Sequence, residues 1–216
     1  LIDSQLVTYI QGLQPIRKPI YTQLESIAKE EGIPIIYPET GYFLELLCKI
    51  QQPKRILEVG TAVGYSALWM LDATNAVIDT IEIDSERVKR AQQLFEENHY
   101  ANRIKVHEGD AIDVLPILAQ DMQYDFVFID AAKGQYVKYF DVIDQMTSKG
   151  AIVVTDNVFF HGMVPGIVEP TKKLASLVKK IQSYNVKLQH LENWHTTFYS
   201  IGDGIAVSIK ISDTND

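Results

Sequence analysis

The chain of 216 residues holds a single cysteine, Cys48. That scarcity excludes a disulfide framework within the chain and a zinc site built on several thiolates. Cys48 lies among Leu46, Leu47 and Ile50, surroundings that suit a small buried side chain. Positive charge is short as well: 20 Lys and Arg stand against 28 Asp and Glu, giving a formal net charge of −8. An acidic chain is poorly suited to non-specific polyanion binding, although a local basic patch remains compatible with it. No run approaches the roughly 18 apolar residues of a membrane span. The opening stretch LIDSQLVTYI has neither the basic end nor the apolar centre of a secretory leader. With disulfides also missing, a reducing, cytoplasmic setting is expected. Repeats, low-complexity tracts and linkers are lacking too. With 46% hydrophobic and 22% charged residues, the expectation is one globular domain over 1–216, a helical extension (1–50) joined to a core (51–216).

What is present is a regular alternation. Leu6, Ile10 and Leu13, then Ile20, Leu24 and Ile27, recur at helical spacing and predict helices over 3–13 and 19–31, the second ended by Gly32. A third helix, capped by Glu39 or Thr40, carries Phe43, Leu44, Leu47 and Ile50 on one face. From there, strands over 55–60, 76–84, 103–110, 124–130 and 151–156 alternate with helices. These cover 65–73, 85–100 (capped by Ser85), a short piece with Val114, Leu115 and Leu118, 135–147 and 171–184. Near-continuous apolar strands separated by helices imply a parallel sheet covered on both faces. Two last strand-like runs, TTFYSIG and GIAVSIK, meet at Gly202-Asp203-Gly204 and predict a hairpin that adds an antiparallel edge.

In an open α/β sheet, ligands gather at the carboxyl ends of the strands. The first strand runs through Glu58 into Gly60-Thr61-Ala62-Val63-Gly64-Tyr65-Ser66. Ala62 breaks the dinucleotide fingerprint, and no Gly-Lys-Ser/Thr follows to make a phosphate loop. An acid beneath a glycine turn suits a cationic ligand with an amino group instead. Glu82, about 20 residues on, is spaced to accept hydrogen bonds from ribose hydroxyls, and Asp110 ends the third strand near the position of an adenine amino group. S-adenosylmethionine (SAM), a positively charged nucleoside carrying an amino acid, meets that description.

Two further strands each stop on an aspartate, Asp130 after FVFI and Asp156 after IVVT, with Asn157 directly behind the second. Neighbouring parallel strands lie about 4.8 Å apart, so these oxygens can converge. An all-oxygen set that leaves positions open suits Mg²⁺, with Mn²⁺ or Ca²⁺ as alternatives. Lys133, three residues after Asp130, is placed to take a proton from a substrate hydroxyl. His161 is the nearest histidine, while Trp69 and Trp194 read as core or pocket wall.

The segments ILEVGTAVGYSA, TIEID, FVFIDAAK, VVTDNV and GDGIAVSIK, in that order within residues 34–211, resemble the cation-dependent SAM O-methyltransferases, the family of catechol and caffeoyl-CoA O-methyltransferases. The resemblance implies a Rossmann-like fold with a mostly parallel seven-stranded sheet, often in a homodimer. It assigns Ile36, Glu58, Gly60, Gly64, Ser66, Glu82, Asp110, Ala111 and Asp130 to SAM. It assigns Asp130, Asp156 and Asn157 to Mg²⁺, and Lys133 to the role of base beside Asp130. The metal calls for two adjacent substrate oxygens, which a small catechol offers and so does 5-hydroxyuridine in tRNA. Within the family the chain is similar to the bacterial tRNA 5-hydroxyuridine methyltransferases. Lys172, Lys173, Lys179 and Lys180 form two pairs seven apart that would share one face of the last predicted helix, opposite Leu174, Leu177, Val178 and Ile181. Arg17, Lys18, Lys54 and Arg55 would add positive charge, and Phe159, Phe160 and Trp194 could stack a splayed base.

Overall fold

In the computed structural model, which describes residues 4–213, five strands run parallel: β1 (Arg55–Val59), β2 (Val77–Glu82), β3 (Ile104–Glu108), β4 (Tyr124–Ile129) and β5 (Thr147–Thr155). With β6 (Trp194–Tyr199) and β7 (Ile205–Lys210) they make one seven-stranded sheet in the order β3-β2-β1-β4-β5-β7-β6. The closing hairpin forms at one edge of the sheet, as expected. Its second strand, β7, is the antiparallel one and sits inside the sheet against β5, while β6 takes the rim. Burial explains the choice: Ile205, Ala206 and Ser208 of β7 are buried, whereas β6 is half-exposed with His195, Thr196 and Thr197.

The helices before the sheet are α1 (Ser4–Leu13), α2 (Pro19–Glu31) and α3 (Pro38–Gln51). Asp3, the first residue of the predicted opening helix, lies outside the described residues. Those between and after the strands are α4 (Tyr65–Ala73), α5 (Ser85–Glu97), α6 (Ala111–Leu118), α7 (Tyr136–Gln145) and α8 (Ala175–His190). Side chains alternate along each strand and so feed two cores. Phe126, Phe128 and Val154 join Leu44, Trp69 and Phe95 on one face. Val127, Ile129 and Val153 join Leu115, Phe140 and Tyr184 on the other.

Helix ends bring several corrections. Gly32 closes α2 in the left-handed conformation as expected. α3 starts earlier than Glu39 or Thr40, because Pro38 fits the first turn, where a missing N–H costs nothing. The cap of α5 is Asp84 rather than Ser85: its carboxylate accepts the Glu86 and Arg87 N–H groups at 2.9 and 3.1 Å. Residues Lys133–Gln135 form a separate 3-10 turn before α7, and Thr147 already belongs to β5. α8 begins at Ala175, so Lys172 and Lys173 lie in the turn before it and the two lysine pairs do not share one helix face.

The first helices are fastened to α4. Lys18 Nζ lies 2.7 Å from Asp72, the Tyr21 hydroxyl donates to the same carboxylate at 2.9 Å, and the Tyr65 hydroxyl of α4 donates to Glu25 of α2, which also pairs with Arg17. The Tyr21 and Trp69 rings lie 4.4 Å apart, and Trp69 is core, as its sequence neighbours suggest. Among the described residues, no helix is long and apolar enough to cross a membrane.

Candidate active site

A cavity of about 280 Å³ opens at the carboxyl ends of β1, β2, β3 and β4. The turn from β1 into α4 forms one wall. Gly60 has φ +107°, and a Cβ on it would lie 2.2 Å from the Asp130 carbonyl oxygen, so glycine alone lets the end of β1 pass the end of β4. The Gly60 and Thr61 N–H groups donate to the Ile81 carbonyl at 3.0 and 3.1 Å and tie this turn to β2. Gly64, at φ +86°, starts α4 against Phe95 and supports the turn without lining the cavity.

Glu58 also stays behind the wall. It is fully buried, and the Ser66 and Thr80 hydroxyls each donate to one of its oxygens at 2.5 Å. Burial pushes its carboxyl up to about 7 against the pull of those two bonds, and the charge of Asp130 adds to the rise. Ser66 itself lines the cavity. Glu82 Oε2 accepts Ala62 N–H at 2.8 Å, and Oε1 accepts Ile83 and Asp84 N–H, both at 3.0 Å. A carboxylate has about four acceptor positions, so Glu82 keeps one for a ligand. Asp110 caps α6 through Ile112 N–H at 2.9 Å with one oxygen and leaves the other exposed. Ala111 and buried Ile36 complete the predicted set on the cavity wall. Tyr65, Arg87 and Tyr139 also line it. Sequence reasoning passed them over, because they read as ordinary helix residues.

The two aspartates meet as the strand pairing requires. Ile129 sits beside Thr155, so Asp130 and Asp156 follow on adjoining strands, and Asp156 N–H donates to the Ile129 carbonyl at 3.0 Å. Asp130 faces the cavity with 23% of its side chain exposed, while Asp156 is 1% exposed. Burial pushes both carboxyls up. The charge of Asp130 raises Asp156 further, and Lys133 draws Asp130 back down. Lys133 Nζ stands 3.5 Å from Asp130 Oδ1 and lines the cavity from the 3-10 turn. Asn157, at φ +56°, donates its N–H to Asp156 Oδ1 at 2.7 Å.

These residues fit a divalent cation. One buried and one partly exposed carboxylate, mutually repelling, and a carboxamide offer hard oxygens, with one ammonium nearby to offset their charge. Among the described residues no cluster of three or more His, Cys, Asp and Glu closes into a ligand set, so the candidate donors are two carboxylates and one carboxamide. His161 turns away from it: its ring is 63% exposed and lies 3.6 Å from Asp203. Trp194 is buried against Phe140, with its ring N–H on Asp144, and so is not available to stack a base. Asp203 is the residue that sequence reading left in the hairpin turn. Its charge pushes both Asp130 and Asp156 up.

The chain matches the O-methyltransferase family over residues 18–211. It is 37% identical over 141 residues to a catechol O-methyltransferase of Niastella koreensis, an alignment that spans 62% of this chain and 64% of that protein. A provisionally named caffeoyl-CoA O-methyltransferase from Staphylococcus aureus superposes with a TM-score of 0.84 at 32% identity, covering 95% of this chain and 97% of its own. The O-methyltransferase TomG of Streptomyces achromogenes, involved in tomaymycin synthesis and solved with SAM, gives 0.85 at 26% identity over 96% of each chain.

Proposed function

Because the chain belongs to the O-methyltransferase family, we propose that it catalyses divalent-cation-dependent methyl transfer from SAM to a hydroxyl that neighbours a second oxygen. The observation that carries this reading is the pairing of Asp130 and Asp156 at adjoining strand ends, beside a cavity walled by the glycine turn and Lys133. Asp130, Asp156 and Asn157 would hold the cation, preferentially Mg²⁺. Ile36, Gly60, Ser66, Glu82, Asp110, Ala111 and Asp130 would hold SAM, with Glu58 and Gly64 shaping the wall behind them. SAM would supply an electrophilic methyl group and the cation a Lewis acid for the two oxygens. Lys133 would take the proton from the hydroxyl. The cavity walls would hold nucleophile and methyl donor in line, which can account for much of the rate gain.

The substrate class that this chemistry supports is a catechol-type ring, in line with the name of the Niastella relative. A second reading is 5-hydroxyuridine in tRNA. It is supported by Lys180, whose side chain lies against Gly134, next to Lys133, and by exposed Lys172, Lys173 and Lys179 nearby. The exposed apolar residues Leu6, Tyr9, Leu13, Leu46 and Ile50 on α1 and α3 support a homodimer, which light scattering tests directly. The deciding assay offers SAM and Mg²⁺ with a simple catechol or with tRNA bearing 5-hydroxyuridine, and EDTA as control. Transfer that survives EDTA sinks the cation reading. Transfer to neither acceptor sinks the substrate class.

A further inference from the structure

We propose that Asp203, in the turn between β6 and β7, is a positioning residue that aims the Asn157 carboxamide oxygen at the cation site. The inference rests on the cation reading above and adds a residue to it.

The segment after β5 is held in unfavourable backbone. Asn157, Phe160 and His161 have φ of +56°, +41° and +54°, a region that side chains other than glycine rarely adopt. Something must hold three such residues within five positions, and the turn after β6 does so. Val158 N–H donates to the Gly204 carbonyl and Phe159 N–H to the Asp203 carbonyl, each at 3.1 Å. The Asp203 side chain adds three more contacts: Oδ1 accepts His161 N–H at 2.6 Å, and Oδ2 lies 3.5 Å from Asn157 Nδ2 and 3.6 Å from the His161 ring Nδ1. Only 9% of this side chain is exposed. Gly204, at φ +90°, permits the approach, since a Cβ there would fall 2.4 Å from the Phe159 ring.

The direction of the second contact matters. A carboxylate only accepts hydrogen bonds, so the amide edge of Asn157 that faces it is the NH₂ group. The carbonyl edge then points the other way and stays free to act as a ligand. Orientation of a ligand by an outer hydrogen bond commonly changes metal affinity by about 10–100-fold. Asp203 would otherwise be a puzzling neighbour, because its charge adds to the repulsion between Asp130 and Asp156.

Mn²⁺ binding to the full chain, followed by calorimetry without SAM or substrate, tests this apart from turnover. In Asp203→Asn the new amide still offers one oxygen to His161 N–H, but its NH₂ faces Asn157 and turns that carboxamide over. Hydrogen exchange across 157–161 should therefore stay near wild type, while Mn²⁺ affinity falls about tenfold or more. In an Asn157→Ala background the same substitution should change affinity by less than about threefold, because the group it acts through is gone. An equal loss in both backgrounds overturns the proposal, for Asp203 would then act through its charge alone. An unchanged affinity in Asp203→Asn overturns it too. If the wild type binds no Mn²⁺, the cation reading itself falls, and this inference with it.

Discussion

Glu58→Gln should change how stability depends on pH, and the structure gives the size. Glu58 is fully buried, with one hydroxyl on each oxygen, and its carboxyl rises from an ordinary value of 4.5 to about 7. A carboxyl raised on folding holds a proton that the unfolded chain has lost. Its contribution is complete below about pH 4.5 and is lost as pH climbs through about 7. The full loss is about 3 kcal/mol, which in a chain of this size corresponds to roughly 6–12 °C in Tm. Glutamine has nearly the same shape, cannot ionise, and can accept from one hydroxyl while donating to the other, since each hydroxyl does both. Thermal unfolding of wild type and variant from pH 5 to 8.5 reads the effect as a difference of two curves. Asp130 and Asp156 are present in both proteins and largely cancel. The curves should converge at low pH and separate as pH rises, with the variant the more stable at pH 8. Curves that stay parallel throughout would show that Glu58 ionises alike in folded and unfolded chains, and would refute the reasoning.

Asp156→Ala should abolish methyl transfer while SAM binding by calorimetry persists, and should leave unfolding without cation unchanged or raised, because a repelling buried acid is gone; retained turnover counts against the metal arrangement. Gly60→Ala puts a Cβ 2.2 Å from the Asp130 carbonyl at φ +107° and should cost about 1–3 kcal/mol or more; an unmoved urea midpoint would mean that β1 and β4 do not approach so closely. Lys210→Met removes a buried ammonium bound to the Asp144 and Thr147 carbonyls at 2.6 and 2.9 Å and should cost about 1–3 kcal/mol, again by urea unfolding.

The sheet and most helices were legible because strand and helix periods alternate cleanly, and because FVFI and IVVT are short, rich in β-branched and aromatic residues, and end on polar turn residues. The candidate site was legible as polar residues at strand ends: Asp130 and Asp156 close apolar runs, and Glu82 and Asp110 follow the same pattern at the ends of β2 and β3. What escaped depends on contacts that no local pattern carries. Asp84 and Ser85 are both good caps in isolation, and only the carboxylate of Asp84 reaches two N–H groups. Lys172 and Lys173 fit the helical period, yet the chain before Ala175 forms turns instead. Trp194 reads as a pocket wall but packs on Phe140 from the rim strand. Asp203 sits between two glycines and looks like turn chemistry. Its place 46 residues from Asn157 follows from β7 pairing with β5, which the sequence alone does not state.

That pairing explains why one end of the sheet tolerates so many acids. Glu58, Asp130, Asp156 and Asp203 come from four chain segments, and the charges of Asp130 and Asp203 push neighbouring carboxyls of the group up. A fold selected for stability alone would not gather them. The cost is carried by the rest of the sheet, where apolar β1, β4 and β5 are buried on both faces. The arrangement also sets a sign for ligand linkage. A cation needs Asp130 and Asp156 ionised, so its binding must release protons and tighten as pH rises. Over that same range the empty fold loses stability, so added Mg²⁺ should raise Tm most at the alkaline end. A Tm increment from Mg²⁺ that shrinks between pH 6 and pH 8.5 would contradict the placement of the cation between these carboxylates.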